Sequence, residues 1–360
     1  MVSKPNATSE PMKILVIRRD NIGDLVCTTP LLSSLRRHFP EAHIAVLVNS
    51  YNAPVLAGNP DIDEVCVYQK AKHRAAGQTR LAVWWATFRL LHRLRNMRFD
   101  IIFVATPGQQ PGALKFARWI AAGGSRLIAY GEAAHGISDT LPLDRAGIGH
   151  ETQAVMRLLE PLGIVESPGP AHVFPDADLA ANIALPAGNS TLIALHISAR
   201  KPLQRWPIER FAELAHELHA QQGARFLLFW SPGAEDHAQH PGDDAKAEQL
   251  MALCADLPLR ACPSHRLEDL VAGLSLADRV ICSDGGAMHL AAGLGKPIVC
   301  FFGNSGAERW HPWGVPYELL QPASRNVSDI SVADALAAFE RLGGHIAKAE
   351  QNNPNIREPV

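Results

Sequence analysis

Short apolar runs and longer amphipathic segments alternate along the whole chain. In the first half the runs are Lys13–Arg18, His43–Val48, Glu64–Tyr68, Asp100–Ala105 and Arg126–Tyr130. They are continuous rather than alternating, the pattern of strands covered on both faces of a parallel sheet. Between them, apolar positions recur at helical spacing over Gly23–His38, Arg80–Met97, Pro111–Ala122 and His150–Leu162. The second half repeats the rhythm. Strands are predicted at Thr191–Ile197, Arg225–Trp230, Arg279–Ser283 and Pro297–Phe302, and helices at Ile208–Gln222, Asp243–Ala255, Leu267–Leu274, Ala287–Leu294 and Val332–Leu342. From Gly163 to Gly188 the rhythm lapses; Pro168, Pro170, Pro175 and Pro186 mark a linker with at most one short helix. The expectation is an α/β chain of two doubly wound domains, 12–165 and 189–345, with a linker at 166–188 and a polar tail at 346–360. A length of 360 residues suits two domains.

Sheets of this kind bind ligands at the carboxyl ends of their strands, so the cleft between two such domains is the place to look for chemistry. The loop after the first strand contains Asn21, Gly23 and Asp24. Gly23 permits a tight turn, and either Asn21 or Asp24 can cap the following helix; an acid at a helix start is the plainer reading of Asp24. The loop is neither a Walker sequence nor a dinucleotide fingerprint. A second loop, Ser283-Asp284-Gly285-Gly286-Ala287-Met288-His289, follows Val280–Cys282 and opens a helix. Its glycines expose backbone N–H groups to an anion such as a diphosphate, although a glycine turn with a structural cap has the same outline. His196, Ser198, Arg200, Lys201, Gln204 and Arg205 form a third loop ahead of Trp206-Pro207, suited to phosphate contacts or to plain solvation. A fourth runs from Phe302-Gly303 to Trp313.

Composition narrows the options. Hydrophobic residues make up 47%, which excludes wholesale disorder, and no apolar run approaches the ~20 residues that span a bilayer. The first twelve residues lack the apolar core of a secretory signal, and six cysteines without a C-x-x-C pair suit a reducing compartment; a cytoplasmic address is expected. No metal-ligand spacing is present among the sixteen histidines and the cysteines, so no metal is expected. The net charge of −2 conceals an asymmetry: residues 1–150 hold 18 Lys and Arg against 11 Asp and Glu, the remainder 16 against 25. Between Glu64 and Asp100 there is no acid, yet Lys70, Lys72, Arg74, Arg80, Arg89, Arg93, Arg95 and Arg98 lie there, with Trp84, Trp85 and Phe88. Such a stretch is either a solvated helix face or a surface for an anionic partner.

Taken in order, Lys13–Arg18 through Gly23-Asp24 and Thr29-Pro30-Leu31-Leu32, then Ser283–Ala292, Gly295-Lys296-Pro297 and Phe302-Gly303, resemble family nine of the glycosyltransferases, the heptosyltransferases of lipopolysaccharide assembly. The resemblance covers nearly the whole chain after Met12. It implies the GT-B architecture, two facing Rossmann-like domains with a cleft between them. It also implies an inverting, metal-independent transfer from ADP-heptose to a lipid-linked saccharide, with no cofactor and no nucleic acid involved. On the matching positions it makes Asp24 the general base. Asp284, Gly286 and His289 match its donor-binding motif, and with the strand-end loops the candidate donor contacts are His196, Ser198, Lys201, Arg205, Ser283, Asp284, Gly285, Gly286, Ala287, His289 and Gly303. Asn21, Gly23, Lys70, Lys72, Arg74, Arg89 and Arg93 are then the candidate acceptor contacts, and the aromatic residues of the basic stretch would rest on the inner face of the cytoplasmic membrane. Two positions depart from the family pattern: Gly285 stands where Thr is usual, and Gln204 where Lys is common. The alternatives are a transferase or epimerase using another nucleotide sugar, and a nucleotide-binding module without activity.

Overall fold

The computed structural model describes residues 11–69, 79–108, 111–131, 137–142, 149–235 and 242–352. Its first half contains β1 (Lys13–Ile17), α1 (Ile22–Val26), α2 (Thr29–His38), β2 (His43–Asn49), β3 (Glu64–Tyr68), α3 (Arg80–Asn96), β4 (Ile101–Val104), α4 (Pro111–Ile120), β5 (Arg126–Tyr130), β6 (Asp139–Leu141) and α5 (Glu151–Met156). After α6 (Ala177–Ala181) come β7 (Leu192–His196), α7 (Ile208–Gln222), β8 (Arg225–Trp230), α8 (Asp244–Leu253), β9 (Leu259–Pro263) and α9 (Leu267–Leu276). The chain closes with β10 (Arg279–Ser283), α10 (Gly286–Gly293), β11 (Ile298–Phe301), α11 (Ala307–Trp310), β12 (Tyr317–Leu320) and α12 (Val332–Asn352).

Two six-stranded parallel sheets result, and both are wound alike. The orders are β3-β2-β1-β4-β5-β6 and, read from the far edge, β9-β8-β7-β10-β11-β12. Each half starts in the middle of its sheet, winds to one edge, then returns to the middle and winds to the other. The loops after β1 and β4, and after β7 and β10, therefore part toward opposite faces and leave a crevice at the strand ends. Ile14, Leu15, Val16 and Ile17 of β1 are fully buried, as the continuous apolar run requires.

The strands missing from the sequence reading are β6, β9 and β12. All three are edge or near-edge strands whose residues stay mostly half-exposed, so they lack a continuous apolar run. The single helix expected over Gly23–His38 is two, α1 and α2. Pro30, which has no N–H to donate, fits the first turn of α2 and not the interior of a longer helix. Beyond α5 the chain tightens into a 3₁₀ turn over Arg157–Leu162, which contains Pro161. α12 runs ten residues past its expected end at Leu342.

The proline-rich segment holds one described helix, α6, but it does not hang free. Ala171 and Val173 are buried, His172 donates its backbone N–H to Thr29 Oγ1, and Val173 N–H bonds Gly293 O. One apolar cluster is shared by both halves: Ile22, Leu25 and Val26 of α1 join Ala287, Met288 and Leu290 of α10. Two further clusters fill the outer face of each sheet. All six cysteines are unpaired, and all but Cys262 are buried.

Candidate active site

β1 delivers Arg18 into the interior and then Asp24 into the first turn of α1. Asp24 Oδ2 accepts from the Asn21 backbone N–H at 3.0 Å and from Asn21 Nδ2 at 2.9 Å, so the capping role is real. Its other oxygen meets a second partner, Arg18 Nη2, at 2.7 Å. That guanidinium is buried at 1% exposure. It also holds Glu151 Oε1 at 2.7 Å and donates to Ala105 O. Burial works against the Arg18 charge, but Asp24, Glu151 and Asp20 outweigh it and keep the group protonated. Burial likewise raises the Asp24 pKa, while Arg18 and the Asn21 hydrogen bonds bring it below the ordinary carboxylate value. Asp24 is therefore an ionised carboxylate held in one orientation.

Asp24 does not face solvent alone. Across from α1 lies the start of α10, and the two loops of greatest sequence interest touch. A Cβ on Gly23 would sit 2.3 Å from His289 Cδ2, so glycine is what lets the imidazole pack there. The His289 ring also lies 3.8 Å from Cys27 Sγ through Nδ1 and edge-on to Trp310. Burial lowers the His289 pKa, with Asp284, Asp24 and Glu151 opposing. Gly286 abuts Ile22, and Ala287 is buried.

The remaining donor candidates surround this seam. Ser283 ends β10, paired in register with Phe301 of β11. Asp284 N–H bonds Phe301 O, and its carboxylate accepts from Gln204 Nε2 at 2.8 Å; the same amide reaches Ser305 Oγ at 3.2 Å. Nothing lies within 4 Å of where a Gly285 Cβ would be, so this capping position opens onto free space. Gly303 is a packing glycine: a Cβ would fall 2.2 Å from Leu203 O. His196 is buried beside β10, its pKa pushed down to about 4 by burial. Ser198 Oγ accepts from Ser231 N–H. Lys201 is exposed and unpaired among the described residues. Arg205 is committed elsewhere, bonding Ala199 O and Glu235 Oε1 at 3.0 and 3.1 Å. Among the described residues no three His, Cys, Asp or Glu side chains are grouped to hold a metal ion.

On the acceptor side, Lys70, Lys72 and Arg74 lie outside the described residues. Arg93 is not free: its Nη2 is 2.8 Å from Glu64 Oε1, at the acidic border of the acid-free stretch. Arg95 bonds the carbonyls of Trp119 and Ala121. Arg80 and Arg89 are exposed and have no acidic partner among the described residues. Along the same helix Leu81, Trp84, Trp85 and Phe88 are 71%, 58%, 53% and 38% exposed, the last three in ring contact with one another.

Residues 87–332 match glycosyltransferase family 9 (heptosyltransferase). The chain belongs to this family. It is a glycosyltransferase. It is 26% identical over 314 residues to lipopolysaccharide heptosyltransferase 2 of Salmonella typhimurium, covering 82% of this chain and 83% of that protein. Lipopolysaccharide heptosyltransferase 3 of Escherichia coli is 24% identical over 299 residues, covering 81% and 82%. Among solved structures, the E. coli ADP-heptose lipopolysaccharide heptosyltransferase II superposes with a TM-score of 0.72 at 19% identity, covering 93% of this chain and all of that one. An E. coli heptosyltransferase solved with ADP gives 0.73 at 16%, covering 92% and all. The fold of this family 9 enzyme is thus GT-B, as expected.

Three members of the site escaped the sequence reading as site residues. Arg18 was legible only as the end of a strand. Glu151 is one of several acids that begin helices. Arg309 stands in the fourth loop with no motif around it. Yet Arg309 Nε and Nη2 clasp Glu151 Oε2 at 2.9 and 2.6 Å, and beside them His150 Nε2 meets His311 O at 2.9 Å and stacks on Trp313. Only the folded chain brings residues 150–151 to 309–313.

Proposed function

We propose that this enzyme transfers heptose from ADP-heptose to a lipopolysaccharide core acceptor, with inversion and without a metal, and that Asp24 is the general base. The observation that carries the reading is the apposition of the Asp24 loop and the start of α10 around His289. A base and an anion-binding helix start so placed can serve the two ends of one displacement. Asp24 accepts the proton of the acceptor hydroxyl as that oxygen attacks the anomeric carbon; the bond to the diphosphate breaks, and ADP leaves with the electron pair. Backbone N–H groups at Gly285–Ala287 stabilise the departing charge, joined by Lys201; Arg205 contributes only by leaving Glu235. Ser283 and Asp284, the latter fixed by Gln204, shape the donor side together with His196, Ser198 and Gly303 behind them. Asn21 and Gly23 border the acceptor's approach to the base.

The acceptor is an anionic, lipid-linked saccharide, and the enzyme reaches it by resting on the inner face of the cytoplasmic membrane. Support comes from α3, whose outward Leu81, Trp84, Trp85 and Phe88 lie beside the unpaired Arg80 and Arg89; indole and guanidinium groups together suit a headgroup layer. No described helix is long and apolar enough to cross a membrane.

The decisive experiment is Asp24→Asn, which keeps the Asn21 contacts nearly isosteric and removes the base. Turnover should drop by roughly 10²–10⁴-fold while ADP affinity stays within about twofold. Unchanged turnover removes Asp24 from the mechanism. Thermal stabilisation by UDP or GDP in place of ADP refutes the donor assignment.

A further inference from the structure

Behind Asp24 runs a line of alternating charge that none of the motifs accounts for. Asp24 Oδ1 and Glu151 Oε1 share Arg18 Nη2, each at 2.7 Å, and Arg309 from α11 grips the other Glu151 oxygen with two N–H groups. Arg18 and Glu151 are buried, while the Arg309 side chain is 32% exposed. Three of the four residues belong to the first half; the fourth is on the far side of the seam.

We infer that Glu151 is a positioning residue for Asp24, acting through Arg18, and that Arg309 ties this positioning to the apposition of the two halves. An arginine shared between two carboxylates is pulled by both. With Arg309 in place, Glu151 divides its attraction between two guanidinium groups, and Arg18 settles between its acids in one geometry. Without Arg309, the full charge of Glu151 acts on Arg18 and draws it away from Asp24. Without the Glu151 charge, Arg18 collapses onto Asp24 and occupies the lone pairs that the acceptor proton needs. Both changes displace the base by a fraction of an ångström; Arg309 also stands 5.6 Å over the Trp310 ring, whose edge meets His289, so donor KM is read beside turnover. Other titratable groups near this line are Asp20, Cys27 and Tyr130 from the first half and His289, Asp284 and His311 from the second. Asp20 Oδ2 makes a longer ion pair with Arg18, 3.5 Å from Nε, and the others act through space, whereas the four residues named are joined by hydrogen-bonded ion pairs.

This inference rests on Asp24 being the base, and the test separates the two. Arg309→Gln is the first variant, because Arg309 is partly exposed and its loss leaves Glu151 still paired with Arg18. Turnover of ADP-heptose with a core acceptor should fall on the order of 10–100-fold, the cost of a misplaced catalytic group, with donor KM and ADP affinity within about twofold. Arg309→Lys should recover part of the loss through one hydrogen bond in place of two. Glu151→Gln should behave like Arg309→Gln. In an Asp24→Asn background both substitutions should cost little more, since a residue that acts through the base has nothing left to act on. Losses that multiply in full in that background, or full activity of Arg309→Gln beside an inactive Asp24→Asn, overturn the inference and leave the base standing. An active Asp24→Asn overturns both. A second arm needs no substrate: the Tm decrements of Asp24→Asn and Arg309→Gln should fail to add in the double variant, and additive decrements refute the coupling.

Discussion

Replacing Gly23 by alanine adds one methyl group at the point where the two halves press hardest on each other. The new Cβ would stand 2.3 Å from His289 Cδ2, 2.9 Å from Nε2 and 3.0 Å from Cγ, against 3.4–4 Å for ordinary contact. Clearing it needs a movement of about 1.1 Å. The imidazole has nowhere cheap to go, since His289 is 5% exposed, with Trp310 and Cys27 against it. Overpacking a buried position of this kind costs about 1–3 kcal/mol. Because α1 and α10 carry the Asp24 and Gly285 loops, the same shift separates the proposed base from the proposed donor site, and about 1 Å of misplacement is worth on the order of 10²-fold in rate. The assay pairs thermal melting with initial-rate kinetics on Gly23→Ala and on Gly23→Ala with His289→Ala. If the clash is the cause, the second substitution restores much of the stability lost to the first. A Gly23→Ala enzyme with parental Tm and turnover would show that the two loops do not meet in solution as they do here.

Three further outcomes follow from the same structure. Arg80→Gln with Arg89→Gln should weaken binding to anionic vesicles by on the order of 30-fold at low salt, at about 1 kcal/mol per cation, and leave ADP affinity unchanged; equal binding of parent and variant by co-sedimentation makes α3 a solvated face. Activity should persist in excess EDTA; a preparation that dies and recovers with magnesium or manganese makes Asp284 a metal ligand instead. The His150 pKa, pushed down to about 3 from 6.5 mainly by burial, means that the neutral ring stabilises the fold above pH 6.5 and that this contribution drains away as pH falls toward 3. His150→Asn should therefore flatten part of the fall in Tm below pH 6.5, and His196, held low in the same way, accounts for a further part; a melting curve as steep as the parent's refutes the assignment.

The sheets were legible because their central strands are apolar without interruption, and a run such as Ile14–Ile17 allows little else. The edges were not, because β6, β9 and β12 are paired on few sides and carry polar residues in the pattern of loops. Loop chemistry divided in the same way. Ser283–His289 announced itself by two adjacent glycines at a strand end, and Gly23-Asp24 by its place after β1. Charge was the poorer guide. The acid-free stretch suggested a row of free cations, but Glu64 on the neighbouring strand takes Arg93, and carbonyls take Arg95. Local sequence counts neighbours along the chain, whereas ion pairs form between neighbours in space. Arg205 shows the same failure, with Glu235 thirty residues away in sequence and 3.1 Å away in the fold.

The seam explains why the most informative residues were also the least visible. A transferase that brings two substrates together needs groups from both sheets, and what aligns them must cross from one to the other. Arg18 and Glu151 begin that crossing with buried charge, expensive to desolvate and strongly destabilised if one of the two is lost, and the part-exposed Arg309 extends the line to the other half. An apolar contact could hold the two halves together equally well, and the shared cluster of α1 and α10 already does. Apolar packing is non-directional, however, and fixes no carboxylate in one orientation. Ion pairs with shared guanidinium groups do, because each N–H has a direction and each acid a limited set of lone pairs. The charged line behind Asp24 therefore adds to the apolar seam something that the seam cannot supply: directional bonds that hold the Asp24 carboxylate in one orientation and reach, through Arg309, across to the other half.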